Sequence, residues 1–326
     1  MQTPPEAIEA STRLLHQEAQ KHGIKCTFLG DEHTIFMKDK EHSWYTRGSR
    51  TSLQSSIGKT IADNKLVTKE ICRHFNLPTS AFVSVKNEKE LEKVQNLSYP
   101  LVMKPIDLRH GEGVVVGIRD WESVQRYYAK WKRPAIFEEM LAGTEYRILC
   151  IDFQFAAAAW RRPAFVTGDG QQSISQLIDE KNRHPWRGEG HRANLTRLLV
   201  DELVLEFLQE KGYTLDSVPE ANVDVQLRKT GGLSTGGEAW DVTDLVCEEN
   251  RQLFAEIARV CDLNTIGIDI MCCSLETPIV EQPRAGIIEV NSSPGLRMHH
   301  YPVQGLPRDV TGKILDMVEK HYGIQR

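Results

Sequence analysis

Apolar positions fall in short blocks, mostly at strand length, with helical spacing between some of them. After a polar, helix-like stretch over residues 5–22, "IKCTFLG", "HTIFMK" and "HSWYT" read as short strands joined by tight turns. Ser, Thr and Gly dominate "RGSRTSLQSSIGKT", which predicts a linker or flexible loop. In "ADNKLVTKEICRHFNL" the residues Leu66, Val67, Ile71 and Phe75 recur at helical spacing, and Pro78 marks the stop. Strands are predicted at "AFVSV", "PLVMKPI", "VVVGI" and "AIFEEML", with helices at "NEKELEKVQNL" and "DWESVQRYYAKW". "EYRILCID" and "QFAAAAWRR" predict a hairpin, and residues 167–196 a long polar insert. Farther on, "RLLVDELVLEFLQEKG", residues 248–261 and "RDVTGKILDMVEKHYG" predict helices. "VDVQLRK", "TIGIDIMCC" and "GIIEVN" predict strands. The order is mixed α+β with antiparallel strands, not a regular βαβ series.

Composition changes this picture little. The chain has 326 residues, 40% hydrophobic and 26% charged, enough for a substantial core in two or three subdomains. A formal net charge of -5 gives no support to nucleic-acid binding. The polar first twenty residues do not read as a secretory leader, and no apolar run is long enough to span a bilayer. Seven cysteines without a C-x-x-C pair predict reduced thiols and a cytoplasmic protein.

The chemistry concentrates at strand ends. Asp269 interrupts an otherwise apolar strand, where a charge is costly unless paired or metal-bound. Glu289 and Asn291 alternate on a second strand and so share a face. Together they offer only oxygen ligands, which suits Mg²⁺; a hydrogen-bonded core Asp beside a plain turn is the competing reading. Lys104 ends an apolar strand, and "RHGEGV" follows, with Gly111 and Gly113 able to turn backbone N–H groups toward a phosphate. Lys65 is a second candidate cation, or a solvated surface lysine. In "IFEEMLAGTEYRIL", backbone groups of Met140 and Leu141 would read an adenine edge and Glu145 would accept ribose hydroxyls. Taken alone, the stretch is merely an amphipathic strand and turn.

In this order of motifs the chain resembles the ATP-grasp superfamily. "TSLQSSIGKTIADNKLVTKEI", "GTEYRIL", "RRPAFVTGDG", "LSTGG", "DVTD" and "EVNSSPGLRMHHYPVQG" are similar to the ATP-grasp modules of bifunctional glutathione synthetases and of cyanophycin synthetase. The resemblance runs from about residue 50 to 320. It implies an α+β ATP-grasp fold, in which two α+β subdomains clamp ATP between antiparallel sheets, with a short N-terminal α/β piece. The corresponding division is 1–55, 56–136 and 137–326. It implies an ATP-dependent carboxylate–amine ligase working through an acyl phosphate. Lys65, Lys104, Gly111 and Gly113 would hold the phosphates, and Glu138, Glu139, Met140, Leu141 and Glu145 the adenosine. Asp269, Glu289 and Asn291 would bind two Mg²⁺, or Mn²⁺ in their place, with Lys104 and Asn291 also serving catalysis. Many superfamily ligases have an arginine two residues before the first metal-binding Asp; here that residue is Gly267, and Arg228 is the expected substitute. Arg147, Arg161 and Arg297 are candidates for substrate carboxylates, with surface salt bridges as the alternative. Ser234, Thr235, Gly236 and Gly237 would line the acyl-phosphate pocket, with a simple Gly-rich turn as the competing reading. The Gly111 loop and the polar insert are the expected lids.

The expected partners are a small carboxylate and an amino acid or peptide amine, with no nucleic acid or membrane and with homo-oligomers common among the relatives. A ligase using a non-peptide acid, in natural-product or osmolyte synthesis, and a non-catalytic nucleotide-binding protein are the alternative functions.

Overall fold

The protein is described by a computed structural model covering residues 8–106, 113–190 and 192–324. These fall into two compact units. The first consists of Gln54–Phe155 and Leu245–Ser292; the second holds the residues before 54, Ala156–Asp244 and the residues after 292.

The first unit opens with helices α1 (Ser56–Asp63) and α2 (Lys65–His74). The Ser55 hydroxyl accepts from Gly58 N–H, and the Asn64 side chain accepts from Leu66 and Val67 N–H. The serine-rich stretch expected to be a loop is therefore partly helical, because its serines cap a helix rather than loosen a chain. Gly58 is required there: a Cβ would stand 2.2 Å from the Asp262 carbonyl oxygen. The buried face of α2 also differs from the apolar stripe read in the sequence. Thr68, Lys69 and Cys72 are buried, whereas Val67 and Phe75 are exposed.

Next come β1 (Phe82–Val85), β2 (Leu101–Pro105), β3 (Val115–Ile118), α3 (Trp121–Trp131) and β4 (Ala135–Glu139). The strands form an antiparallel sheet in the order β1-β4-β2-β3. Leu101, Met103, Ile118 and Phe137 pack with Val124 and Tyr128 of α3 as its core. Alternation then sends Lys104 and Glu138 to the other face. The stretch expected as a helix at 87–97 is a 3-10 helix, Glu88–Asn96.

A second group of strands in this unit is β5 (Thr144–Ile151), β6 (Thr265–Cys272) and β7 (Gly286–Asn291), with helix α4 (Glu248–Val260) between β5 and β6 in the chain. β6 pairs antiparallel with both neighbours and is buried along nearly its whole length, as its apolar run requires. Gly143 starts the turn into β5 at φ 117, and a Cβ there would lie 2.3 Å from the Cys272 carbonyl oxygen. Only glycine satisfies both conditions.

In the second unit, helix Ala10–Lys21 packs on helix Val310–Tyr322, and strands Lys25–Phe28, Thr34–Lys38, Ser43–Arg47 and Arg50–Thr51 make a sequential antiparallel sheet. Strand Gln154–Arg162 pairs with Glu238–Asp241 through Ala159–Arg162. The polar insert is folded: helix Ile174–Asn182, closed by a capping box of Ser173 and Gln176, joins helix Glu202–Glu210. Around them Val166, Ile178, Leu198, Val204 and Val225 form a small core. No helix among the described residues is long and apolar enough to cross a membrane.

Candidate active site

Arg147, Asp269 and Glu289 stand in one row across β5, β6 and β7. The register pairs Asp269 with Arg147 on one side and with Glu289 on the other. Glu145 precedes Arg147 by two residues and Asn291 follows Glu289 by two, so period-2 alternation brings both to the same face. A register irregularity next to the Asp269–Glu289 pair marks a β-bulge, a common device for re-aiming side chains at a site. Asn291 pairs in register with Gly267. The Asn291 amide nitrogen lies 3.5 Å from oxygens of both Asp269 and Glu289.

Electrostatics favour a cation on this face. Glu145, Asp269 and Glu289 bring three carboxylates to the face that also carries the Arg147 guanidinium. Asp269 is buried at 2% exposure, and Arg147 engages both its oxygens, through Nε and through an η nitrogen at 3.0 Å. The Glu289 carboxyl is raised above its ordinary value, first by loss of solvent and then by the neighbouring Asp269 charge. Its side chain nevertheless remains solvent-accessible. Two crowded carboxylates and an amide form an all-oxygen donor set that a hard divalent ion would relieve, so the residues present fit Mg²⁺. Among the described residues no cluster of three or more His, Cys, Asp and Glu has a metal-binding arrangement; here the third donor is the Asn291 amide.

The other sheet of this unit positions a second charged group. Glu138, 3% exposed, accepts from the Ser80 hydroxyl at 2.7 Å and from Lys69 Nζ at 2.6 Å. Its other carboxylate oxygen meets Lys104. Burial alone would raise its pKa, but the Lys104 and Lys69 charges outweigh burial and hold it at about 2. Burial lowers the Lys69 ammonium, opposed by Glu138. Lys69 also donates to Thr79 and Ser80 hydroxyls, each at 2.8 Å, and to the Ile287 carbonyl at 3.3 Å. Sequence reading missed Lys69. The available signal was a lysine four residues after Lys65, on the face of α2 opposite the apparent stripe.

The remaining expected residues are placed as follows. Lys65, half-buried, is the first residue of α2. The Glu139 carboxylate accepts from Ser98 N–H at 2.8 Å, and Met140 N–H donates to the Pro100 carbonyl at 2.9 Å. Gly111 lies outside the described residues, and Gly113 is at φ 70. In the second unit, Arg228 is 8% exposed and donates to Asp201 at 2.7 Å, while its Nε has no hydrogen-bond partner. Arg161 Nε donates to the Gly231 carbonyl at 3.2 Å. Arg297, 5% exposed, spends its guanidinium on the carbonyls of Gly190, Ala193 and Leu233 and on the Thr196 hydroxyl. Ser234 and Thr235 lie in a 3-10 turn, Leu233–Thr235, closed by Gly236 at φ 93; Gly237 N–H donates to the Gly232 carbonyl. Thus Lys65, Lys104, Glu138, Glu145, Asp269, Glu289 and Asn291 share one unit with Arg147. Arg161, Arg228, Arg297 and the Ser234–Gly236 residues share the other. All seven cysteines are free thiols.

No family model matches the chain. It is 34% identical over 319 residues to cyanophycin synthetase of Synechocystis sp., covering 96% of this chain and 36% of that protein. It is 30% identical over 322 residues to the glutathione biosynthesis bifunctional protein GshAB of Clostridium perfringens, covering 96% of this chain and 41% of that one. The crystal structure of a bifunctional glutathione synthetase from Pasteurella multocida superposes with a TM-score of 0.77 at 30% identity, over 96% of this chain and 44% of that one. The chain therefore spans less than half the length of these relatives. Sequence similarity along nearly the whole chain and the matching structure agree: the chain has the ATP-grasp fold.

Proposed function

We propose that the protein is an ATP-dependent carboxylate–amine ligase. It would transfer the ATP γ-phosphoryl group to a carboxylate, and an amine would then displace phosphate to give an amide, ADP and phosphate. The observation that carries this reading is the Arg147–Asp269–Glu289 row with Asn291 beside it.

Asp269, Glu289 and Asn291 would hold two Mg²⁺, replaceable by Mn²⁺, which supply charge neutralisation at the triphosphate. Arg147 fixes the orientation of Asp269 through its two contacts, so we assign it to that carboxylate rather than to substrate. Lys104 and Lys65 would bind phosphate oxygens. With the Met140 N–H committed to Pro100, the adenine edge falls to the Met140 carbonyl and the Leu141 N–H, and the ribose to Glu145. Glu138 is turned to Lys104 and Lys69. We retain Arg228 for the transferring phosphoryl group, since its buried Nε still has a proton to donate. Arg161 and the Ser234–Gly236 turn are the candidates for the acid. Arg297 instead ties its own unit together, because both its terminal nitrogens donate to backbone and side-chain acceptors there.

The test is ATP- and Mg²⁺-dependent phosphate release over a panel of small acids paired with amino acids, with product masses read in parallel. A productive pair gives a product equal to acid plus amine less water. Tight nucleotide binding without turnover for any pair would contradict the ligase reading. Arg228→Lys is expected to lower kcat by about 10²–10³-fold, because an ammonium cannot reproduce the guanidinium fork. Unchanged kcat in that variant would show that another residue serves the phosphoryl group.

A further inference from the structure

Lys69 is buried, charged and unused by the chemistry proposed above. At 4% exposure it would be costly without partners, and it has four: Glu138, Thr79, Ser80 and the Ile287 carbonyl. Ile287 stands two residues before Glu289 on β7, so the ammonium also bridges to the strand that bears the carboxylate row. Glu138 is shared, with one oxygen on Lys69 and the other on Lys104.

The charge count gives this arrangement a meaning. A lone Lys104–Glu138 pair would be neutral, and its ammonium would have little attraction left for a phosphate. With Lys69 on the same carboxylate the group carries one net positive charge. We infer that Lys69 is a positioning residue that acts through Glu138, leaving the charge of Lys104 available to the nucleotide phosphates. This rests on the reading of Lys104 as a phosphate-binding residue.

A simple structural role would predict something different. A lysine that merely fills and ties the site would, when lost, weaken every ligand of the site alike. A lysine that sets charge would affect only ligands that carry phosphate. The experiment measures binding of a non-hydrolysable ATP analogue with Mg²⁺, and of adenosine, to wild type, Lys69→Met, Glu138→Gln and the double variant.

Lys69→Met leaves a neutral pair and is expected to bind the analogue about tenfold more weakly, with adenosine unchanged. Glu138→Gln leaves two positive charges and should bind the analogue at least as tightly as wild type. The double variant restores one net charge and should recover the analogue to within about threefold of wild type. It also leaves no unpaired buried carboxylate, so it keeps the test open if Lys69→Met fails to fold. Equal losses for analogue and adenosine, no loss in Lys69→Met, or a double variant still tenfold weak would each overturn the inference. Wild type that binds neither ligand would instead remove the nucleotide-binding reading, and the inference with it.

Discussion

Asp269→Asn and Glu289→Gln are each expected to lower ATP- and Mg²⁺-dependent phosphate release by about 10³-fold or more. Each change removes a full negative charge from the face that would hold the metal, and catalysis of phosphoryl transfer depends mainly on positioning and neutralising charge. The two variants differ in structural cost. Asp269 is buried against Arg147, so its loss leaves a buried guanidinium poorly balanced and should also lower Tm. Glu289 keeps solvent access, so Glu289→Gln should fold with little change in Tm. Rates measured beside melting curves separate the two effects. Near-normal turnover in a folded Glu289→Gln protein would reject the metal assignment.

Glu138→Leu is expected to destabilise the protein by roughly 3–5 kcal/mol, since it strands Lys69 and Lys104 without their shared anion. The same group sets an acid dependence. The folded pKa of about 2 lies below the ordinary value of 4.5. Ionised Glu138 therefore stabilises the fold fully above about pH 4.5, and this contribution, on the order of 3 kcal/mol, fades as pH falls from about 4.5 toward 2. Denaturant unfolding followed at pH 7, 4.5 and 3 checks both statements. Wild type should lose more stability over that range than a Glu138→Gln protein. Parallel acid curves would show that Glu138 is not held ionised by the two lysines.

How far the sequence could be read depended on what each signal measures. The carboxylate row was legible because strands have a period of two. Once β6 and β7 were assigned, Glu289 and Asn291 had to share a face, and an Asp within an apolar strand demanded a partner. That the partner is Arg147, directly across from Asp269, was not legible, because register between distant strands is set by tertiary packing. Lys69 was hidden for the opposite reason. Apolar spacing at Leu66, Val67, Ile71 and Phe75 pointed to one face of α2, but the protein buries Thr68, Lys69 and Cys72 on another. A helix that buries an ion pair breaks the rule that the apolar stripe faces inward. Around residues 47–60, serines were read for composition rather than for the cap that Ser55 supplies. Arg297 was read by charge alone, and only its four backbone and hydroxyl acceptors reveal that both its terminal nitrogens are engaged within the protein.

The proposed chemistry turns on where a divalent ion goes when nucleotide is bound. The most direct measurement is a crystal structure with Mn²⁺ and a non-hydrolysable ATP analogue, with the ion located by its anomalous signal. The expected result is manganese at about 2.1–2.2 Å from oxygens of Asp269, Glu289 and Asn291 and from the nucleotide phosphates. Manganese elsewhere, with those three side chains turned from the phosphates, would contradict it.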